Sequence, residues 1–232
     1  MFKGKRVFAA LIVSTILSSF ISVFSQEGPA SKFSAGSDFY SSYIWRGTSY
    51  GSGPSIQPTI KYTEAWLTAG AWGSFDFSGY QEADIYLSFT PIPWLSLGVT
   101  DYYYPGLQYY DFSQVSGSHA YELNAGFTKW NLSLSANYVF NEAGGVGSLG
   151  GDKYFQAGYS FKFLNIFLGA GDGWHTEDPE TGEDKFAVCN LGIGITNSIK
   201  VSDSFSIPVN GQLIFNPDKE QMFLVIGFSI FP

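Results

Sequence analysis

Glu82-Ala83-Asp84-Ile85-Tyr86-Leu87-Ser88-Phe89-Thr90 is the stretch that decides the fold. Ala83, Ile85, Leu87 and Phe89 fall on one face of an extended chain, and Glu82, Asp84, Tyr86, Ser88 and Thr90 on the other, because successive side chains of a strand point to opposite sides. The pattern recurs. Tyr121, Leu123, Ala125 and Phe127 oppose Glu122, Asn124 and Gly126. Leu132, Leu134, Ala136, Tyr138 and Phe140 oppose Ser133, Ser135 and Asn137. About twelve segments of this kind run at 32–46, 55–63, 66–75, 82–90, 94–104, 119–127, 130–140, 153–163, 165–171, 186–199, 205–215 and 221–231, most of them near the ~9–11 residues that a tilted strand needs to cross a bilayer. Pro58 and Pro208 fall inside two of them. A residue without an N–H is confined to edges, first positions and bulges, so bulges or strand ends are predicted there.

The connections separate a membrane barrel from a soluble sandwich. One set is tight: Glu64-Ala65, Pro91-Ile92-Pro93, Thr128-Lys129, Leu164 and Lys200–Ser204. The alternate set is mostly longer: Gly47–Pro54, Asp76–Gln81, Pro105–Ser118, Asn141–Asp152, Asp172–Lys185 and Asn216–Glu220. Short turns at one end and long loops at the other are the habit of spanning barrels. A sheet crosses lipid only when every backbone amide is paired, which closure achieves. The predicted fold is all-β: a transmembrane antiparallel up-and-down β-barrel of about twelve strands.

Aromatic residues make up 19% of the chain and charged residues 14%, against about 25% charged in average soluble domains. Trp66, Trp94 and Trp130 each follow a short turn. Tryptophan favours the membrane interface because its ring is apolar and its N–H wants water, so a girdle is predicted at the short-turn end. Tyr102-Tyr103-Tyr104, Tyr109 and Tyr110 would form its counterpart. Residues 1–25 read as a cleaved signal peptide. Lys3, Lys5 and Arg6 are its basic region, Val7–Val23 its apolar run and Val23-Phe24-Ser25 its cleavage site. Residues 26–232 then form the barrel. The first segment holds three of the twelve basic residues, which leaves nine against twenty acidic ones, a net charge of about −11. That balance disfavours nucleic acid as a partner. The single Cys189 excludes an intrachain disulfide framework and reads as a small wall residue in register with Leu191, Ile193 and Ile195.

Two stretches carry a family resemblance. The final strand, Phe223-Leu224-Val225-Ile226-Gly227-Phe228-Ser229-Ile230-Phe231 before Pro232, resembles the terminal strand that barrel assembly machinery reads. Ser37-Asp38-Phe39-Tyr40-Ser41-Ser42-Tyr43-Ile44-Trp45-Arg46-Gly47-Thr48-Ser49, followed by Gly53-Pro54-Ser55-Ile56-Gln57, resembles the signature of the TorF-type porin family. Trp72, Glu82-Ala83-Asp84 and Tyr121-Glu122-Leu123 are in keeping with it. The resemblance implies the outer membrane of a Gram-negative bacterium and pore activity, with outer-membrane lipid, assembly machinery and small polar solutes as partners.

Arg46 is read as ending the first strand at the rim, on the lumen face with Asp38, Tyr40 and Ser42, within reach of Glu82, Asp84 or Glu122. It is either a charge that filters solutes or an ion pair that braces and plugs a small barrel. The expected lumen lining is Asp38, Arg46, Lys61, Glu82, Asp84, Glu122 and Asn124. No cofactor is called for. The loop Asp172–Asp184 holds six carboxylates and His175, but its spacing is not that of an EF-hand, and no metal site is assigned. Ser116 and Ser118 lie beside His119, yet sequence neighbours do not make a triad. Gly144–Gly151 precedes no helix and reads as a loop rather than a phosphate cradle. The chain is therefore read as a non-enzymatic porin-like channel for passive diffusion. A closed barrel with a structural, adhesive or surface-binding role, its lumen filled by Tyr40, Tyr86, Tyr102 and Phe223, is the first alternative. A lipid-acting enzyme using His119 is the second.

Overall fold

The computed structural model describes residues 32–176, 185–203 and 205–231. The signal-peptide reading and most of the acidic loop lie outside them. The described chain closes into one antiparallel ring of twelve strands. These are β1 (Phe33–Tyr40), β4 (Ser55–Glu64), β5 (Leu67–Asp76), β6 (Gln81–Ile92), β7 (Leu95–Tyr103), β8 (His119–Lys129), β9 (Leu132–Val139), β10 (Lys153–Phe161), β11 (Leu164–Gly171), β12 (Ala187–Lys200), β13 (Ser206–Asn216) and β14 (Gln221–Ile230). Each pairs with its neighbour in the ring, and β1 pairs with both β4 and β14, so no edge is left open. Two further short strands, β2 (Tyr43–Trp45) and β3 (Thr48–Tyr50), stand apart from the ring as a hairpin.

The alternation does what the sequence predicts. Ile85, Leu87, Leu123, Leu134, Ile166, Leu168, Leu191, Ile193, Leu224 and Ile226 are exposed on the outer wall. Asp38, Gln57, Glu82, Asp84, Glu122, Asn137 and Asn210 are buried inside it. Exposed apolar area on this scale marks a surface built for lipid rather than water.

At the short-turn end Ala65, Trp130 and Lys162 each open a two-residue connection with φ of 52°, 57° and 53°, a left-handed conformation that costs an L-residue roughly 1–2 kcal/mol. Trp66 packs edge-on against Phe89 and Trp94 against Phe127. The Lys129 ammonium lies 5.3 Å from the Trp94 ring and 5.0 Å from that of Trp130. At the opposite rim Tyr103, Tyr109 and Phe112 gather on His119. Tyr102 and Tyr104 do not join them. Tyr102 is buried in the lumen with Tyr43, Trp45 and Trp72, and Tyr104 packs against that lumen group, because neighbours of Tyr103 on a strand must face the other way.

Four expectations need correction. The first segment is not one strand to Arg46: β1 ends at Tyr40 and the chain turns inward. Pro58 lies within β4 with no register shift. The ladder to β5 skips Gln57 and Pro58 and resumes at Thr59↔Trp72. Pro208 still pairs with Ser198 but sits one residue beyond the pairing with β14, which starts at Val209, so neither proline makes a bulge. A bulge does occur at Cys189, where Gly169 pairs with Asn190 and Ala170 with Val188. The extra residue turns Cys189 inward and fully buries it, while Leu191, Ile193 and Ile195 stay on the lipid face.

Candidate functional site: a hairpin plug in the lumen

The plug begins where β1 runs out. Ser41 still donates its N–H to Ile226 O, and its hydroxyl accepts from the Ile226 N–H. Beyond it the chain leaves the wall. Tyr43 pairs with Tyr50, Ile44 with Ser49 and Trp45 with Thr48, joined by the two residues Arg46 (φ 50°) and Gly47 (φ 85°). Two positive φ angles in succession are the requirement of a two-residue type I′ turn. Gly47 is needed twice over. A Cβ there would lie 1.9 Å from the Cys189 carbonyl oxygen, so the tip of the hairpin seats on the β12 bulge. Asn216 Nδ2 donates to Gly47 O at 2.9 Å, and Lys219 Nζ to Thr48 Oγ1 at 3.2 Å.

Arg46 occupies the left-handed position without glycine's freedom, and its head group is held on several sides. Nη1 donates to Glu122 Oε2 at 2.6 Å and Nη2 to Glu122 Oε1 at 2.9 Å, a two-pronged pair. Its guanidinium carbon lies 4.4 Å from the Trp45 ring centroid and 4.5 Å from that of Tyr154. Nη1 also meets His175 Nε2 at 3.2 Å. A guanidinium only donates, so Nε2 must carry the lone pair. Burial, then the neighbouring Arg46 and Lys219 charges, hold His175 well below its ordinary pKa, in agreement with a neutral ring. Glu122 further accepts from Tyr102 Oη and Asn124 Nδ2, and Asn124 links on to Thr100 and Asn137. Arg46, Glu122 and His175 are 6%, 0% and 1% exposed.

The core of this barrel thus lies in its lumen, at the long-loop half. Tyr43, Trp45, Trp72, Tyr102, Ala120, Val139, Ala143 and Val146 form it. The short-turn half differs. Gly70, Ser88, Gly98, Gly126, Ser133 and Gly158 are among its lining residues, all half-buried, while the Tyr86 ring lies over Gly70 and the Phe167 ring over Gly192.

The expected lining residues separate into groups. Arg46, Glu122 and Asn124 meet in one network. Glu82 and Asp84 stand together on β6, with Tyr80 Oη donating to Glu82 Oε2 at 2.6 Å. Asp38 accepts from the Ser229 hydroxyl on the β14 wall. Lys61 lies at the short-turn half of β4, facing inward. Trp45, Tyr154 and His175 complete the site around Arg46 and were not singled out from sequence. The signal was Arg46-Gly47 between Tyr43/Trp45 and Thr48/Tyr50, two residues flanked by alternating segments. His119 gives both ring nitrogens away, Nδ1 to the Asp101 carboxylate and Nε2 to Tyr109 O. Among the described residues no serine hydroxyl bonds to it.

Comparison with solved structures returns porins at low similarity. A mutant of Rh. blastica porin aligns with a TM-score of 0.40 and 11% identity over 77% of this chain and 55% of that one. A second Rh. blastica porin mutant gives 0.41 and 11% over 83% and 66%. A double variant of OccD1 (OprD) gives 0.34 and 13% over 86% and 66%. The chain spans just over half the length of the first of these porins. No curated protein matches it. A family model matches residues 26–209. It does not carry the TorF name that the Tyr43–Ser49 stretch resembles. That match covers most of the barrel, and the chain belongs to the Gcw_chp family, described as bacterial protein of unknown function.

Proposed function

We propose that this protein is a plugged, porin-like channel of a Gram-negative outer membrane, passing small polar solutes or ions when the β2–β3 hairpin leaves the lumen. The resemblance of Tyr43–Ser49 to the TorF-type porins supports the same reading. The observation that carries it is the hairpin's independence from the wall: β2 and β3 pair only with each other, and the ring closes without them. The plug can therefore move while every barrel strand keeps its partners. Once it is out, Asp38, Lys61, Glu82, Asp84, Glu122 and Asn124 line the path, with Arg46 travelling on the plug. Outer-membrane lipid and the barrel assembly machinery are the partners that follow from this reading. No step calls for enzymatic chemistry.

A second reading has its own support. The aromatic layer around Arg46 is as buried as a protein core, which suits a barrel that stays shut and serves as a structural, adhesive or surface-binding protein. Planar-bilayer recording separates the two. The channel reading expects small or infrequent steps from the intact protein. It expects large, steady conductance when residues 42–53 are replaced by a Gly/Ser linker. A folded linker variant that never conducts leaves the closed barrel as the account.

A further inference from the structure

Glu82 and Asp84 are adjacent on one face of β6 and are 3% and 1% exposed. Glu82 has the Tyr80 phenol as a donor. Asp84 has no such support: among the described residues neither of its carboxylate oxygens has a hydrogen-bond partner. The Tyr103 backbone N–H and the Glu82 carboxyl lie beside it without closing a bond. The buried guanidinium of this lumen, Arg46, is committed to Glu122. A buried carboxylate without a partner costs several kcal/mol by order of magnitude, so the pair must be neutralised, by a proton or by a bound cation.

A second, independent orphan points to the cation. Ser74 on β5 is 0% exposed, its Oγ has no hydrogen-bond partner among the described residues, and its register sets it directly across from Glu82. The next pair, Trp72 and Asp84, lies alongside. The available ligands are therefore carboxylate and hydroxyl oxygens, with phenols from Tyr80 and Tyr43 around them. No thiol or imidazole is in the set, since Cys189 and His175 sit at the Arg46 site. Hard oxygen donors select calcium or magnesium over transition metals. An irregular set on two strands suits calcium, which accepts variable geometry where magnesium demands an octahedron.

We propose that Glu82 and Asp84, with the Ser74 hydroxyl opposite, form a binding site inside the barrel for one hard divalent cation of the calcium class. Two negative charges are matched by one dication, and the cation ties β5 to β6 behind Tyr43 of the plug. The site does not depend on whether the barrel conducts.

Equilibrium dialysis of the full chain in detergent against radioactive calcium tests this without a channel readout. One saturable site per barrel is expected, weakened by at least about tenfold in Asp84→Asn and in Glu82→Gln as ligand charge is lost. It is retained when the acidic residues of 177–184 are changed to their amides. Absence of saturable binding overturns the proposal, as a proton shared between the two carboxylates would then account for the pair. Binding that survives both substitutions, or that vanishes with the 177–184 variant alone, also overturns it. Should either β6 variant fail to fold, Ser74→Ala keeps both charges. A calcium affinity unchanged in Ser74→Ala, with no calcium-dependent rise in the wild-type unfolding temperature, counts against the site equally.

Discussion

Two carboxylate sites flank β7 on one wall of the lumen, Asp84 on β6 and Glu122 on β8, and their neighbours could hardly differ more. Glu122 on β8 is surrounded by donors: both Arg46 nitrogens, the Tyr102 phenol and the Asn124 amide. Asp84 on β6 is as deeply buried and has none among the described residues. Both positions read the same way in sequence, a carboxylate on the polar face of an alternating strand. Burial therefore does not set the energetic sign of a charge; the completeness of its partners does. At Glu122 the charge holds a plug. At Asp84 it is a liability that an ion could cancel.

The largest effect follows from breaking the complete site. Glu122→Gln leaves Arg46 charged, buried and deprived of its two-pronged acceptor, a loss of about 3–5 kcal/mol for a broken buried pair. The barrel ladders are untouched, so the loss should fall on the plug. Trypsin reads this directly, because the Arg46–Gly47 bond is shielded while the plug is seated. The variant should be cut after Arg46 with the barrel still folded and heat-modifiable on gels. A variant as resistant as wild type would mean that aromatic packing, not the ion pair, keeps the plug in place.

Acid should act on the same site more gently. His175 is buried and neutral beside Arg46, and its folded pKa lies below the ordinary value. The unfolded ring binds protons more readily, so stability is fully present above about pH 6.5, the ordinary histidine pKa. It falls as pH drops from there through the folded value. Protonation would set an imidazolium against the Arg46 guanidinium, with Lys219 adding to the repulsion and Glu122 opposing it. Hydrogen exchange across residues 43–50, corrected for intrinsic rates, should speed up between pH 7.5 and 5. His175→Gln should flatten that dependence. An equal acceleration in His175→Gln would assign the pH response to another group.

How much of this was legible in the sequence depends on the period of the signal. The wall was readable strand by strand because lipid outside and polar groups inside impose an alternation of two, as Ile85/Leu87 against Glu82/Asp84 illustrates. The plug was hidden because Asp38, Tyr40, Ser42 and Arg46 share the even positions of one alternation. In fact Tyr43 and Trp45 are inward-facing at odd positions, whereas Asp38 and Tyr40 are inward at even ones. That phase slip, with Arg46-Gly47 as a turn, was the available clue. The Cys189 bulge left no local trace, since Cys189, Leu191 and Ile193 alternate without a break. It is read only once the Gly47 tip is seen resting on the Cys189 carbonyl. Glu122 could be named as a partner for Arg46 but not chosen over Glu82 or Asp84, because the choice depends on how far the hairpin reaches across the lumen.

The smallest effect should carry the opposite sign. In chelator, at pH 8, Asp84→Asn replaces a buried, unpartnered charge by a neutral group of the same shape. Removing a charge that has no partner deletes a desolvation cost and breaks no bond, so the variant should be more stable than wild type by about 1 kcal/mol. Urea unfolding in lipid vesicles would show a higher midpoint with an unchanged slope. Calcium should then narrow the gap by stabilising the wild type alone, since ligand binds the folded barrel that keeps the carboxylate. A destabilised Asp84→Asn in chelator would mean that the carboxylate already has a partner, and the contrast between the two sites would lose its energetic basis.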